Sequence, residues 1–291
     1  MFYEGIIYRP PSEASSFILQ VTVGCRHNQC TFCTMYKGKS FRIRSREEIT
    51  RHIEQGATQY PLAERIFLAD GDALTLDTDF LVEILQELYR RFPRLKRVSI
   101  YGGPKDILEK SLAELERLKN HGLEIVYLGV ESGNAEVLAQ IKKGVTQQEM
   151  ITAGQRIVAS GLKLSCTVIL GLGGKRRTRE HARDTGKILS AIDPHYLGAL
   201  TLMLESETPL LRQLNSGEFE LLNPWEVLQE LDSMLQNLEV SNCLFRSNHA
   251  SNYLSLKAHL PSEKDNLLVT LAEVIGQGRD DLLKPELWRG L

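Results

Sequence analysis

The chain has 291 residues, 42% of them hydrophobic and 25% charged, and its 35 Lys and Arg nearly balance 37 Asp and Glu, for a formal net charge of −2. That composition suits a large folded core and excludes a disordered chain. It offers no general basic surface for nucleic acid and no polybasic membrane anchor, so neither partner is expected. Because there is no secretory signal pattern and no run of about 18 apolar residues, we expect a cytoplasmic protein.

Six short apolar or β-branched runs predict strands. They are Phe17–Val23, Arg65–Ala69, Arg97–Tyr101, Leu123–Val130, Leu162–Leu170 and Tyr196–Met203. Helix-like stretches separate them, at about thirty residues per strand–helix unit. This alternation predicts an α/β fold with a parallel sheet that is curved or barrel-like. A flat doubly wound sheet is the structural alternative.

Apolar spacing and capping residues predict the helices. Ser45 precedes a helix at residues 46–57, and Glu48 stands three positions later, which is the spacing of a capping box. Further helices are predicted at residues 79–92, 106–120, 134–142, 147–160, 177–191, 223–238 and 262–277.

The strand–helix alternation stops after about residue 205, although no linker-like composition marks a separate domain. We therefore predict an N-terminal segment at residues 1–15 and a core at residues 16–205. A mostly helical C-terminal extension at residues 206–291 is expected to pack on that core.

Three cysteines lie within nine residues directly after the first predicted strand: Cys25, Cys30 and Cys33. A 4Fe-4S cube normally takes four cysteine ligands, so a loop with three leaves one iron open to an external molecule. The pattern therefore indicates a reactive cluster site. Zinc bound by the three sulfurs and His27 is the alternative, but no second pair of ligands with zinc-site spacing accompanies the loop.

The remaining cysteines argue against a disulfide framework. Five cysteines in 291 residues are sparse and odd in number. Cys166 and Cys243 lie in apolar runs and are expected to be buried hydrophobic residues. Two cysteines are too few for an auxiliary 4Fe-4S cluster, so peptide-maturing enzymes with cysteine-rich extensions and methylthiotransferases are not expected.

Polar and glycine-rich motifs follow four further strands. They are Asp70-Gly71-Asp72, Tyr101-Gly102-Gly103-Pro104, Glu131-Ser132-Gly133 and Gly171-Leu172-Gly173-Gly174. Ligands of parallel α/β proteins bind at the carboxyl ends of the strands, so these motifs are expected to converge on the cysteine loop. A calcium loop is rejected at Asp70 because Leu74 and Leu76 occupy ligand positions. A dinucleotide fingerprint is rejected at Gly171 because Arg176 replaces its third glycine.

This combination resembles the radical S-adenosylmethionine (SAM) superfamily over roughly residues 15–205. The resemblance rests on the cysteine loop, on Phe32 directly before the last cysteine, and on the order of the strand-end motifs. The loop reads C-x4-C-x2-C, one residue longer than the family's usual C-x3-C-x2-C. Gly71 and Asp72 resemble the family's Gly-Gly-Glu element, with Asp70 in place of the first glycine.

The motif after the fifth strand matches the family in part. Ile169 and Gly171 fit a Gly-x-Ile-x-Gly-x-x-Glu element, whereas Thr167 and Gly174 replace its two ends. A closer likeness is to stand-alone bacterial radical SAM proteins labelled Fe–S oxidoreductases or coproporphyrinogen-oxidase-like proteins. It is carried by the runs Thr31–Tyr36, Tyr127–Gly133, Leu170–Gly174 and Phe245–Asn252.

The resemblance implies a partial (β/α)6 barrel and an enzyme. Cys25, Cys30 and Cys33 would hold a 4Fe-4S cluster as its catalytic metal site, and SAM would bind the open iron. Reductive cleavage of SAM would give a 5′-deoxyadenosyl radical that abstracts hydrogen from a substrate, expected to be a small molecule. An external low-potential electron donor of the flavodoxin or ferredoxin type, and protection from oxygen, are implied as well.

The resemblance also implies a set of residues that contact SAM: Phe32, Asp70, Gly71, Asp72, Glu131, Ser132, Gly171, Leu172 and Met203. The aspartates and Gly71 would receive the methionine ammonium group. Glu131 and Ser132 would bind the ribose hydroxyls or the ammonium group. The backbone of Gly171 and Leu172 would bind adenine, with Phe32 and Met203 in apolar contact.

Candidate substrate contacts are Tyr36, Tyr101, His181, Arg246 and His249. Residues 246–252 carry six polar or charged residues in seven, which is compatible with a substrate cavity and equally with a hydrogen-bonded turn. Radical modification of a macromolecule stays open beside a small-molecule reaction. An iron–sulfur electron-transfer or SAM-sensing protein without radical turnover, and a zinc-stabilised binding protein, also stay open.

Overall fold

The computed structural model describes residues 3–204 and 208–290. The chain divides into two compact units. The first comprises Met1–Asn28, Met35–Leu128 and Arg156–Leu164, and the second comprises Gln29–Thr34, Gly129–Gln155 and Ser165–Leu291. The predicted boundary between residues 205 and 206 lies outside the described residues, and the predicted three-part division stays a prediction.

The strands follow the sequence prediction closely. They are β1 (Phe17–Gln20), β2 (Thr22–Val23), β3 (Arg42–Ile43), β4 (Arg65–Ala69), β5 (Arg97–Tyr101), β6 (Leu123–Glu131), β7 (Lys163–Leu170), β8 (Tyr196–Thr201), β9 (Cys243–Ser247) and β10 (Leu256–Leu260). The first predicted strand is divided, because its last two residues leave the main sheet as β2 and pair with β3.

The helices are α1 (Arg46–Gln59), α2 (Thr78–Arg91), α3 (Pro104–Glu109), α4 (Leu112–Asn120), α5 (Ala135–Gln140), α6 (Gln147–Ala159), α7 (Gly174–Ile192), α8 (Pro209–Asn215), α9 (Pro224–Gln236) and α10 (Lys264–Gln277). The predicted helix at residues 106–120 is two helices. Ser111 has an extended backbone and caps α4 in a capping box with Glu114, which ends α3 before it. Helix α8 was not predicted.

In the first unit, β1, β4, β5 and the part of β6 up to Leu128 are parallel neighbours in that order. The side chains of β1 and nearly all those of β4 are buried, as expected for parallel strands covered on both faces. Phe67 contributes to this core and meets the rings of Tyr101 and Tyr127 edge to face. Burial of a phenylalanine of this kind contributes about 1.5–3 kcal/mol to the free energy of unfolding. The strand ends of this unit therefore lie on a stable hydrophobic core.

In the second unit, β7, β8 and β9 are parallel and β10 runs antiparallel to β9. The predicted C-terminal extension is therefore helical at α8, α9 and α10 but also adds two strands. Strand β10 was missed, although Leu256, Ala258 and Leu260 are buried in alternation with exposed Lys257 and His259. That alternation is the period of a strand with one buried face.

The eight main strands pair in the order β1, β4, β5, β6, β7, β8, β9, β10. This mostly parallel sheet confirms the predicted α/β class. Along it the strands follow chain order without the reversal that marks a doubly wound sheet, which is compatible with the predicted partial barrel. Among the described residues, no helix has both the length and the apolar character needed to span a bilayer.

Candidate active site

The cysteine loop contributes to both compact units. Cys25 belongs to the first unit, and Cys30 and Cys33 belong to the second. All three are partly exposed and form no disulfide, whereas Cys166 and Cys243 are buried, as the sequence predicted. Among the residues that the structure describes, no three His, Cys, Asp or Glu side chains are grouped for a single metal ion.

Cys25 lies in a network of hydrogen bonds within the first unit. Its thiol donates to Asp72 Oδ2 at 3.1 Å, and its sulfur accepts the Asn28 N–H at 3.3 Å. The His27 N–H also donates to Asp72 Oδ2, at 3.2 Å. Burial, followed by the charge of Asp72, raises the pKa of the Cys25 thiol well above its usual range. Metal binding at this sulfur would therefore release a proton.

Asp70 binds residues on both sides of the cysteine loop. Its side chain is fully buried, and Oδ2 accepts hydrogen bonds from Gly24 N–H at 3.0 Å and from Lys39 Nζ at 2.9 Å. The side chain of Gln20, on β1, donates to the same oxygen at 3.0 Å. Gly24 precedes the first cysteine and Lys39 follows the last one, so the end of β4 holds the two residues that frame the loop.

Gly71 lies where there is no room for a side chain. A Cβ atom at this position would be 2.8 Å from the ring of Tyr36 and 3.2 Å from the Cβ of Cys25. The predicted contacts Gly71, Tyr36 and Cys25 are therefore packed together in the first unit. Tyr36 is almost fully buried, and its backbone carbonyl accepts from the Asn28 side chain at 2.9 Å. Tyr101, at the end of β5, is half-buried against Phe67 with ring centroids 4.8 Å apart.

A second carboxylate, which no sequence motif singled out, lies beside Asp72. A Cβ on Gly103 would be 2.8 Å from both Asp72 Oδ1 and Asp106 Oδ2, so the two carboxylates lie close together beside this glycine. Burial, followed by the charge of Asp72, raises the pKa of Asp106 to about 7, against the opposing effect of Arg26. Arg26 bonds Asp106 at 3.2 Å and Glu109 at 2.6 Å. The position of Asp106 just after a glycine turn at a strand end was its only signal in the sequence.

Phe32 and Leu172 share one apolar cluster in the second unit. Leu172 is buried with Val137, Ile141, Leu202 and Leu210, and Phe32 packs against this cluster. The backbone of Thr31 donates to the Ile141 carbonyl at 2.9 Å and accepts from the Leu210 N–H at 3.0 Å. The segment that carries Cys30 and Cys33 is thereby attached to the second unit by packing and by backbone hydrogen bonds.

Glu131 ends β6 in a left-handed conformation, with φ of +64°. Its carboxylate pairs with Lys143 at 2.9 Å, and both side chains are mostly buried. The carboxylate folds back over Gly129, where a Cβ would be 2.1 Å from Glu131 Oε1. A side chain at position 129 would therefore displace the Glu131 carboxylate from this position.

Ser132 and His181, which were predicted for different roles, contact each other. Ser132 Oγ lies 2.8 Å from His181 Nδ1 and accepts the Asn134 N–H at 3.0 Å. His181 Nε2 faces the Ile169 carbonyl at 3.1 Å and therefore carries a proton. In the neutral ring, Nδ1 then accepts the Ser132 hydroxyl. Both side chains are almost fully buried.

Glu230, on α9, is a buried acid that was missed from the sequence. Its Oε1 accepts the Gly171 N–H at 2.6 Å and lies 3.6 Å from His181 Nε2, while Oε2 accepts the Thr178 hydroxyl at 2.5 Å. Burial raises the pKa of Glu230, and these donors counteract that effect. The signal in the sequence was a glutamate within the apolar stripe of an amphipathic helix, three residues after buried Val227.

Gly171 has φ of +82°, which favours glycine, and its carbonyl accepts the Gly174 N–H at 3.0 Å. Gly171 and Met203, both predicted near adenine, line one pocket. Further residues around it include Leu170, Thr201, Leu204, Leu214, Leu222, Tyr253 and Arg289. Arg289, also missed from the sequence, lies over the Tyr253 ring at 4.1 Å and donates to the Leu202 carbonyl at 3.2 Å.

The polar stretch near residue 249 forms a hydrogen-bonded turn that closes on β8. Ser251 accepts from Thr201 N–H at 3.2 Å, and Asn252 donates to the Ala199 carbonyl at 2.8 Å. His249 Nδ1 lies 2.9 Å from the Ser251 hydroxyl, and burial lowers the pKa of His249. Arg246 lies on β9 opposite Gly198 and is half-buried. The capping interpretation accounts for Ser251 and Asn252, while substrate roles for Arg246 and His249 stay predictions.

Comparison with known proteins gives a family and a fold. The family model described as the Radical SAM superfamily matches residues 19–187. A protein of Methanocaldococcus jannaschii, named provisionally as a methylthiotransferase, is 24% identical over 276 residues, which cover 88% of this chain and 57% of that relative. The chain therefore spans little more than half the length of this curated relative.

Two solved structures share the fold. Methylornithine synthase superposes with a TM-score of 0.54 at 17% identity, covering 77% of this chain and 63% of the other. The radical SAM methyltransferase TsrM from Kitasatospora setae gives a TM-score of 0.55 at 20% identity, covering 69% of this chain and 38% of the other. At these identities the similarity concerns architecture alone.

Proposed function

Because the chain belongs to the radical SAM superfamily and is thus an enzyme, we propose that it binds a 4Fe-4S cluster through Cys25, Cys30 and Cys33 and cleaves SAM reductively. The observation that carries the proposal is the three-cysteine loop itself, within the family match and framed by the carboxylate of Asp70. Three soft thiol ligands suit iron–sulfur ligation and leave one iron open. When bound, the cluster supplies the electron that cleaves the sulfonium to methionine and a 5′-deoxyadenosyl radical.

The residues of the chain contribute binding and positioning. Asp70 holds the loop residues Gly24 and Lys39 at the end of β4, so it orients the thiols rather than the substrate. Asp72 and Asp106 are two buried acids beside Gly103, and the carboxylate of Asp72 suits the methionine ammonium group. A carboxylate accepts hydrogen bonds from an ammonium group more strongly than a neutral acceptor does.

The second unit offers neutral groups and apolar surface for the adenosyl part of SAM. Gly171 and Met203 line one pocket, and Leu172 lies in the cluster against which Phe32 packs. Most of the residues that line this pocket are apolar, and Arg289 at its edge is paired with Glu286, so the pocket offers apolar contact for an adenine ring without an unpaired charge. These groups would orient the nucleoside and exclude water from the radical.

The reaction partners follow from the same proposal. We expect a small-molecule substrate that donates a hydrogen atom, an external low-potential electron donor of the flavodoxin or ferredoxin type, and turnover in the cytoplasm without oxygen. Tyr36, Tyr101, His181, Arg246 and His249 remain candidate substrate contacts. Radical modification of a macromolecule and SAM binding without radical turnover are the alternatives.

Anaerobic reconstitution tests the proposal. We expect about four irons per chain and 5′-deoxyadenosine after reduction with dithionite in the presence of SAM. Cys25→Ala, Cys30→Ala and Cys33→Ala should each abolish nucleoside formation. Cys166→Ala, at a buried cysteine outside the loop, is the matched control and should retain it. Zinc without iron, or iron without any nucleoside product in the wild type, would contradict the proposed function.

A second candidate function is transfer of a methyl or methylthio group. It is favoured by the relative in Methanocaldococcus jannaschii, which is named provisionally as a methylthiotransferase and aligns with 88% of this chain. The product distinguishes the two functions. Methyl transfer from SAM releases S-adenosylhomocysteine, and methylthio transfer releases it together with 5′-deoxyadenosine, because a radical must also activate the acceptor carbon. Hydrogen abstraction after reductive cleavage releases methionine and 5′-deoxyadenosine without S-adenosylhomocysteine. Chromatography of the nucleoside products from one reaction therefore decides between them.

A further inference from the structure

Four buried polar groups of the second unit form one continuous chain of contacts. It runs from Ser132, at the end of β6, through His181 on α7 to Glu230 on α9, and from Glu230 to the backbone of Gly171 at the end of β7. Ser132 is 0% exposed, His181 2% and Glu230 3%. Such groups are retained inside a protein only when they are hydrogen-bonded, and here each has a partner.

Glu230 is the centre of this chain of contacts. Its two oxygens accept from a backbone N–H and a hydroxyl, and Oε1 also faces the protonated Nε2 of His181. A buried carboxylate with several donors is held in one position, because each lost donor would leave charge or a polar group unsatisfied. The hydrogen bond from the Gly171 N–H to Glu230 fixes the orientation of the peptide group before Gly171. Gly171 itself has φ of +82°, and this angle sets the direction in which the chain continues to Leu172.

Glu230 lies outside the part of the sequence that matches the family. The family match ends at residue 187, whereas Glu230 lies 43 residues later, in a helix of the C-terminal part. The β7-end element that resembles Gly-x-Ile-x-Gly-x-x-Glu carries Gly174 where that pattern ends in an acid. A carboxylate from α9 therefore reaches a strand end whose own motif has none.

We propose that Glu230 and His181 are positioning residues for SAM: through the Gly171 N–H and the buried Ser132 hydroxyl, they hold the ends of β7 and β6 in the arrangement that binds the adenosyl group. This inference rests on the proposed function. It assigns part of the cofactor site to the C-terminal part of the chain, beyond the family match. Neither residue is required to touch SAM, because both act through groups at the strand ends.

Two substitutions distinguish the effect of the length of the Glu230 side chain from the effect of its charge. Glu230→Gln keeps the length of the side chain and an oxygen for the Gly171 N–H but removes the charge. Glu230→Asp keeps the charge but withdraws it by one methylene, so the bond to Gly171 is lost. If positioning is the role, Glu230→Gln should stay within about threefold of the wild type in Kd for SAM, and Glu230→Asp should weaken binding about tenfold or more.

The matched control is Glu13, a second fully buried carboxylate, which lies in the first unit. It bonds Arg97, the first residue of β5, at 2.7 Å, and Tyr127 at 2.6 Å. Glu13 therefore binds a residue at the amino end of β5, whereas Glu230 binds a residue that follows the carboxyl end of β7. Glu13→Gln and Glu13→Asp should lower the melting temperature without changing the Kd for SAM.

The measurements are the Kd for SAM on the reconstituted protein, KM and kcat for 5′-deoxyadenosine formation, and amide hydrogen exchange of residues 169–173 without cofactors. We expect Glu230→Asp to raise Kd and KM with kcat nearly unchanged, and to speed exchange at Gly171. His181→Phe, a second variant in case Glu230→Asp fails to fold, should raise Kd in the same way. Wild-type Kd in Glu230→Asp and His181→Phe would overturn the inference, whereas absence of SAM binding by the wild type would overturn the proposed function.

Discussion

The two compact units meet the same requirement, a polar strand end at the edge of a buried sheet, in different ways. The first unit uses acidic side chains: Asp70 and Asp72 are buried beside the cysteine loop and Asp106 is buried beside Asp72, with Lys39 and Arg26 as partners. The second unit has one mostly buried ion pair, Glu131 with Lys143, and otherwise uses neutral groups: Ser132, His181 and a glycine backbone held by one buried glutamate. The difference agrees with the proposed function, in which acidic groups of the first unit serve the cysteine loop and the methionine ammonium group and neutral groups of the second unit serve the nucleoside.

The largest loss of stability is expected at the buried ion pair between Asp70 and Lys39, at the end of β4. Asp70 is 0% exposed and its partner Lys39 11%, at 2.9 Å. Asp70→Ala should lower the free energy of unfolding by about 3–5 kcal/mol, because it leaves a buried lysine uncompensated. Iron bound after reconstitution should fall with it, since the residues that frame the cysteine loop lose their anchor.

The matched pair in the second unit is Glu131 with Lys143, also at 2.9 Å but with 14% and 10% of the side chains exposed. Glu131→Ala should lower the free energy of unfolding by less than Asp70→Ala does. It should leave the iron content unchanged, because this pair does not bind the residues that flank the cysteine loop. Urea denaturation and iron analysis of both variants provide the test. Equal loss of iron in the two variants would contradict the assignment of the loop anchor to Asp70.

Asp72 tests the role of charge in SAM binding. Asp72→Asn keeps the shape of the side chain but removes the negative charge, and we expect SAM affinity to fall about tenfold, or about 1.4 kcal/mol. Asp79→Asn, at an exposed carboxylate of α2 that pairs with Arg117, is the control and should not change it. Equilibrium titration of both reconstituted variants with SAM measures the difference. Unchanged affinity in Asp72→Asn would remove Asp72 from the site.

Gly171 tests the backbone geometry of the neutral strand end. A Cβ at this position would make only ordinary van der Waals contact, with its nearest neighbour at 3.8 Å, so Gly171→Ala should cost about 1–2 kcal/mol from the left-handed conformation alone. Gly217 has φ of +77°, and a Cβ there would have no neighbour within 4 Å, which makes Gly217→Ala the control. Both variants should melt at similarly lowered temperatures. Only Gly171→Ala should weaken SAM binding.

The smallest effect is a pH dependence confined to the anionic strand end. Folding raises the pKa of Asp106 to about 7 from its ordinary value of 3.8, so the folded protein binds more protons than the unfolded chain between those values. Stability should therefore fall as pH rises from about 4 to about 7. In the cofactor-free protein, the drop in melting temperature between pH 5 and pH 7.5 should be smaller in Asp106→Asn than in the wild type. An identical drop would contradict the effect.

Much of this architecture follows from local patterns. Apolar runs predicted all six strands of the core to within a few residues, and capping residues such as Ser45 marked where helices begin. Helix α8 was missed because it is short, and short helices depend on the surfaces that cover them. Strand β10 is as long as β4 and β5, and its alternating pattern was present in the sequence but was not used. Ser111 divides a predicted helix in two because its side chain accepts the Glu114 N–H in place of a continued helix.

The candidate site divides in the same manner. The cysteine loop, Gly71 and Gly171 could be found from the sequence, because metal ligands and left-handed or crowded turns require particular residue types at fixed spacing. Lys39, Asp106 and Glu230 could not, because a charged side chain acquires its role only from its partners.

The sequence by itself determined the periodic elements, the three thiols and the family. The tertiary structure decided which acids are buried and what they hold. Glu230 and Gly171 are 59 residues apart, yet they lie within 2.6 Å of each other because α9 packs on α7. Hydrogen bonds of this kind depend on distance in space, which local sequence patterns do not encode, and burial then makes the bond strong enough to matter.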